Sequence, residues 1–183
     1  MQALETIAKT REYLDYVERH INNVARAWEE VMAAMERGSY PISYDDFRYN
    51  GLREEVARHD MSKLSADEFV QYRRCFYPTA AEKEKDPRPP LGDAWEHHKK
   101  ENAHHWENWT AADKKVSSPY DLEIHCTHMV IDWLAMSYEF GDTPRSYYEK
   151  NREKIELPEW AVKYITELFT DLEANVQVEA RRK

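Results

Sequence analysis

The stretch "EVARHDMSKLS" (residues 55–65) carries a helical-looking segment onto a histidine, an aspartate and, three positions later, a lysine. His59 and Asp60 are adjacent, and both side-chain types are ligands for divalent cations. A His-Asp dipeptide alone is common and specifies nothing. Its meaning depends on what surrounds it.

The flanks read as helix. One helix is expected from about Leu52 to Asp60, and Ser65 with Glu68 has the spacing of a capping box opening "ADEFVQYRRCF". Upstream, Leu14, Val17, Ile21, Val24, Trp28, Val31 and Met35 recur at steps of three and four, predicting a first helix of about 30 residues. "RGSYP", with Gly38 and Pro41, ends it. Downstream, "YPTAAEKEKDPRPPLG" (77–92) holds four prolines and mixed charge, and reads as an exposed loop or lid. Asp93 is placed to cap one continuous helix, "AWEHHKKENAHHWENW". Ser118-Pro119 opens another that Gly141 ends, and "DTP" starts a short one at Pro144. "LPEWAVKYITELFTDLEANV" is the last, with 179–183 as a frayed tail. Only four glycines in 183 residues disfavour tight hairpins. The expectation is one all-α domain over 1–183, a bundle of six or seven helices.

Composition narrows function by exclusion. A net charge of −9 and a pI near 5.4 oppose binding to a nucleic-acid duplex or an anionic membrane. A small anionic substrate in a locally positive pocket stays compatible. The start "MQALETIAKTREYLDY" is charged within five residues, unlike a secretory leader, and "MVIDWLAM" is too short to span a membrane and contains Asp132. Cys75 and Cys126 stand far apart, so a reducing, cytoplasmic setting is expected.

The eight histidines occupy four places: His20, His59, the group His97, His98, His104 and His105, and His125 with His128. On one helix a seven-residue spacing stacks His97 over His104 and His98 over His105. His128 and Asp132, at i and i+4, share a face. Imidazoles and carboxylates are a divalent-cation donor set, although the HH pairs would also pack as aromatics beside Trp95, Trp106 and Trp109. Arg145, after "DTP", is placed either to meet an anion at a helix N-terminus or to form a surface salt bridge.

Taken together these residues resemble the HD-domain metal-dependent phosphohydrolases over roughly residues 14–140. That superfamily is all-helical and orders its ligands as an early His, a His-Asp pair and a distant Asp. His20, in "HINNVARAW", His59-Asp60 and Asp132 reproduce that order. "HDMSK" is similar to the family's HD-x-G-K, with Ser62 where Gly is usual; the resemblance assigns Lys63 to the substrate phosphate. Members with two ions add histidines in the region of "HHKKENAHH", which implies roles for His97, His98, His104 and His105. The whole chain also resembles a small group of phage and bacterial proteins of unknown function that share "HD-x-SK", "HH…N-x-HHW" and "DW-x-AMS…GDTP". A cytoplasmic setting in a bacterium or phage-infected cell follows.

The implied chemistry is hydrolysis of a nucleotide or other small phosphate ester. One or two divalent ions (Mn, Fe, Co, Ni, Zn or Mg) would activate water, with Asp60 as ligand, Lys63 on the phosphate, and a histidine such as His98 completing a second ion site or protonating the leaving group. The G-Y-P stretch of cyclic-dinucleotide phosphodiesterases is absent. Two other readings are carried: an HD-type di-iron oxygenase, and a non-catalytic phage or host binding module that retains a structural metal. Ferritin-like di-iron proteins need two Glu-x-x-His motifs, and only Glu101-x-x-His104 fits.

Overall fold

The computed structural model describes residues 2–42, 46–87, 89–110 and 119–182. Among these residues there are nine α-helices and no strand, so the chain is all-α. They are α1 (Gln2–Met35), α2 (Phe47–Ala57), α3 (Phe69–Phe76), α4 (Ala80–Lys85), α5 (Asp93–Glu101), α6 (Trp106–Thr110), α7 (Pro119–Phe140), α8 (Pro144–Asn151) and α9 (Glu159–Arg182). A 3-10 turn covers Met61–Leu64. No helix among the described residues is long and apolar enough to cross a membrane.

The chain divides into two compact units. One contains α1 through Asn22 together with Asp60–Asn102; the other contains Asn23–His59 and the chain from Ala103 onward. Each has its own apolar core. In the second unit α7 packs against α2, α6, α8 and α9, burying Val24, Val31, Leu52, Met129, Ile131, Ile165 and Leu168 among others. Gly51 lies close to α7, where an added Cβ would sit 2.9 Å from Ile124 Cδ1 and the end of that side chain would have to shift. Among the described residues, the first unit's buried apolar cluster is Tyr13, Val17, Tyr72 and Ala94.

Several expectations need correction. The buried face of α1 is Tyr13, Val17, His20, Val24, Ala27, Val31 and Ala34. Leu14 and Ile21, placed in that face by their apolarity, are 41% and 37% exposed. Each lies one residue, about 100°, further round the helix. Tyr13 takes the inner position because its hydroxyl donates to Lys63 O (3.3 Å) while its ring meets Phe69 edge-on at 5.3 Å.

The second helix begins earlier than expected, where the Asp46 side chain accepts from Arg48 N (2.9 Å). Its C-cap is Arg58, so His59 and Asp60 follow the helix in a turn. The Ser65–Glu68 capping box does not form. Ser65 instead caps the 3-10 turn, and the Glu68 carboxylate is turned inward to two histidines.

Residues 77–92 are not a plain loop, since α4 lies within them. Thr79 and Glu82 make a reciprocal capping box, and Glu82 also takes Arg73 Nη1 and Nη2 at 2.5 and 2.6 Å. The expected long helix over 94–109 breaks at Asn102, whose backbone is extended and whose Nδ2 donates to His98 O (2.8 Å). Hence there are two short helices, and the two-turn stacking of the HH pairs does not occur. Gly92 is the N-cap of α5, and Asp93 is its first residue. Gly141, at φ 71°, ends α7 as expected; Ser118 lies outside the described residues. Thr143 and Ser146 cap α8. The helix of the C-terminal stretch is α9, which runs to Arg182, and Lys183 lies outside the described residues.

Candidate metal centre

The first unit encloses more polar than apolar side chains: His20, Asp60, Lys63, Glu68, Arg73, Thr79, His98 and Asn102 are all buried. Asp60 is the hub. It has φ 57°, the left-handed region, and is the sole described non-glycine residue with positive φ. Aspartate tolerates this conformation better than most residues, at a cost of about 1–2 kcal/mol. The turn delivers its carboxylate to His20 Nε2 (Oδ2, 3.2 Å), His98 Nε2 (Oδ1, 3.2 Å) and Lys63 Nζ (Oδ2, 2.5 Å). Ser62 stands in the 3-10 turn without positive φ, so glycine is not required there. Its Oγ accepts from Asn102 Nδ2 at 2.7 Å.

His98 is fixed from behind. Glu68, with no exposed surface, receives His98 Nδ1 on Oε2 (2.8 Å) and His97 Nδ1 on Oε1 (2.7 Å). A proton on Nδ1 leaves Nε2 of a neutral ring with a lone pair. That lone pair would face an oxygen of Asp60, acceptor against acceptor. Such an arrangement requires positive charge, supplied either by a second ring proton or by a cation bound to both groups.

The second unit repeats the motif. Ligating atoms of His59, His104 and His128 lie within 4.8 Å of one another. His59 Nδ1 is 2.9 Å from His128 Nε2, and His59 Nε2 is 3.5 Å from Asp132 Oδ1. The His59 and His104 rings stack at 4.4 Å. Behind His128 stands Glu55, 3.4 Å from its Nδ1 and 3.1 Å from His125 Nδ1. Burial alone would raise the Glu55 carboxyl, but the bonds from His125 and His128 outweigh it and bring it to about 2. Burial, and then neighbouring imidazoles, hold His104 well below its ordinary pKa; burial also lowers His128. Neutral imidazoles gathered this way keep their lone pairs for a metal.

The predicted residues therefore fall into two groups. His20, Asp60, Lys63 and His98 come together in the first unit, and His59, His104 and Asp132 in the second, where the ring of His105 lies 4.4 Å from that of His104. His97 is turned toward Glu68 and Asp67 (3.7 Å), and hydrogen bonding to Glu68 raises its pKa. Arg145 makes a salt bridge to Glu173 (2.7 Å) and donates to Thr170. His128 joins the donors, and Glu55, Glu68 and Asn102 emerge as the groups that hold them. The donor chemistry fits a divalent ion, since a carboxylate behind a ligating histidine is the usual support of a metal site.

Fold and site define an all-helical protein with buried histidine–carboxylate sets of metal-binding type. The chain belongs to DUF5662, a family of unknown function, matching it over residues 9–179. No curated protein and no solved structure matches the chain.

Proposed function

We propose that the chain is a metal-dependent phosphohydrolase acting on a nucleotide or another small phosphate ester. His20, Asp60 and His98 would hold a divalent ion in the first unit, and His59, His104, His128 and Asp132 one in the second. The observation that carries this reading is the Glu68–His98–Asp60 line, which directs a buried imidazole at a buried carboxylate and calls for a cation there. A divalent ion in such a set supplies Lewis acidity, lowering the pKa of water and polarising a phosphoryl oxygen.

The chain's own residues do the rest. Glu68 and Glu55 set the tautomers of His98 and His128. Lys63, 8% exposed, brings the cation that offsets charge on phosphoryl oxygens. If its Nε2 holds a proton and not a metal, His98 instead hands that proton to the leaving oxygen.

Elemental analysis of the purified chain, joined to a hydrolysis screen over nucleotides and phosphomonoesters with added manganese, cobalt or iron, tests this. Bound metal and phosphate release, both lost in Asp60→Asn, are expected. Protein that is inert toward every ester, with or without bound metal, would leave the binding-module reading instead. The clustering of His59, His104 and His128 favours a second reading, a di-iron oxygenase. Iron content with oxygen uptake and no phosphate release would select it.

A further inference from the structure

Along α1, Leu4, Ile7, Arg11, Leu14, Glu18 and Ile21 succeed one another at steps of three and four, and all six are exposed. Leu4 is 72% exposed, Ile7 48%, Leu14 41% and Ile21 37%. The helix already has its core face, Tyr13, Val17 and His20, so this is a second apolar stripe that the fold does not use. Single exposed aliphatics are ordinary. Four in the a/d register of a heptad, over about 26 Å of one helix, form a coiled-coil seam.

The two charges in the seam decide its partner. Arg11 and Glu18 are seven residues apart at equivalent heptad positions, and neither has an ion-pair partner among the described residues. In a parallel pair of α1 helices each would meet its own copy, arginine against arginine and glutamate against glutamate. An antiparallel pair with its two-fold axis between Arg11 and Leu14 sets Leu4 against Ile21 of the other copy. That register leaves Arg11 about 6 Å along the axis from Glu18 of the other copy, within reach of two long side chains, and symmetry makes the contact twice.

We propose that two copies of the chain associate through this stripe of α1 as an antiparallel, two-fold symmetric pair. Sedimentation equilibrium of the full chain should give about twice the 21.9 kDa chain mass. Arg11→Glu and Glu18→Arg should each raise the dissociation constant at least tenfold, because like charges then face each other. Both positions are exposed, so circular dichroism should report unchanged helix. The decisive result is the mixture: the two single variants, each monomeric alone, should form a heterodimer, and the double swap should restore the homodimer. A parental chain that stays monomeric at hundreds of micromolar overturns the proposal. So does a dimer indifferent to both reversals, or a monomer that binds phosphatidylcholine vesicles through α1.

Discussion

Position 60 combines a backbone demand with a side-chain demand. The left-handed turn would suit glycine, but only a carboxylate answers His20, His98 and Lys63 together. The two demands separate by substitution. Asp60→Asn keeps a residue that tolerates the turn and removes the charge. It should abolish bound metal, and it should destabilise on the order of 3–5 kcal/mol by leaving Lys63 buried without its counter-ion. Lys63→Met keeps the ligands, so metal content by elemental analysis should persist while phosphate release falls about 10²–10³-fold. If Lys63→Met hydrolyses at the parental rate with metal bound, the lysine only balances charge. At this scale the candidate donor side chains were legible in the sequence, whereas their supports were not. Glu68 carries a cap-motif spacing to Ser65, and its true partners, His97 and His98, lie 29 and 30 residues away. No local pattern announces such a contact.

Among the elements, α4 departs most from its sequence signal. Prolines and charge marked 77–92 as loop, but the Thr79–Glu82 box nucleates a helix that Arg73 fastens to α3. Hydrogen bonding from Arg73 is the largest influence on Glu82 and brings its carboxyl from 4.5 to about 2. Because the folded value lies below the unfolded one, the stabilisation is complete above about pH 4.5 and disappears as pH falls toward 2. Glu82→Gln should cost about 1–3 kcal/mol at pH 7, read from the urea midpoint. The gap to the parent should close by pH 2. A gap independent of pH would mean that packing, not charge, holds α4. Helix identity and the ends at Gly141 and Thr143 were readable because each rests on neighbours in sequence. The register of α1 and the break at Asn102 were not, since Tyr13 and Asn102 are placed by hydrogen bonds to Lys63 O and Ser62 Oγ, 50 and 40 residues away.

For the whole molecule, the two units differ in what their interiors are made of. Among the described residues, the second buries 21 apolar residues in one cluster and the first four, alongside eight buried polar or charged side chains. Apolar burial contributes without regard to direction, at roughly 25 cal/mol per Å². A polar interior stabilises only while every group stays satisfied, so the first unit should open at lower free energy. Hydrogen exchange resolves this segment by segment. Amides of α3 and α5 should exchange faster than those of α7 and α9 in the protein as purified. A metal that binds the folded form selectively adds its binding free energy to stability. Stripping it with a chelator should therefore speed exchange in Asp60–Asn102 by tenfold or more and leave the middle of α9 nearly unchanged. In Asp60→Asn the same segment should already exchange fast, and the chelator should change nothing further. Equal acceleration in α9 would show that the chain unfolds as one block. Protection of α3 and α5 that the chelator leaves intact would show that the first unit's polar interior is self-sufficient, with no metal contributing to its stability.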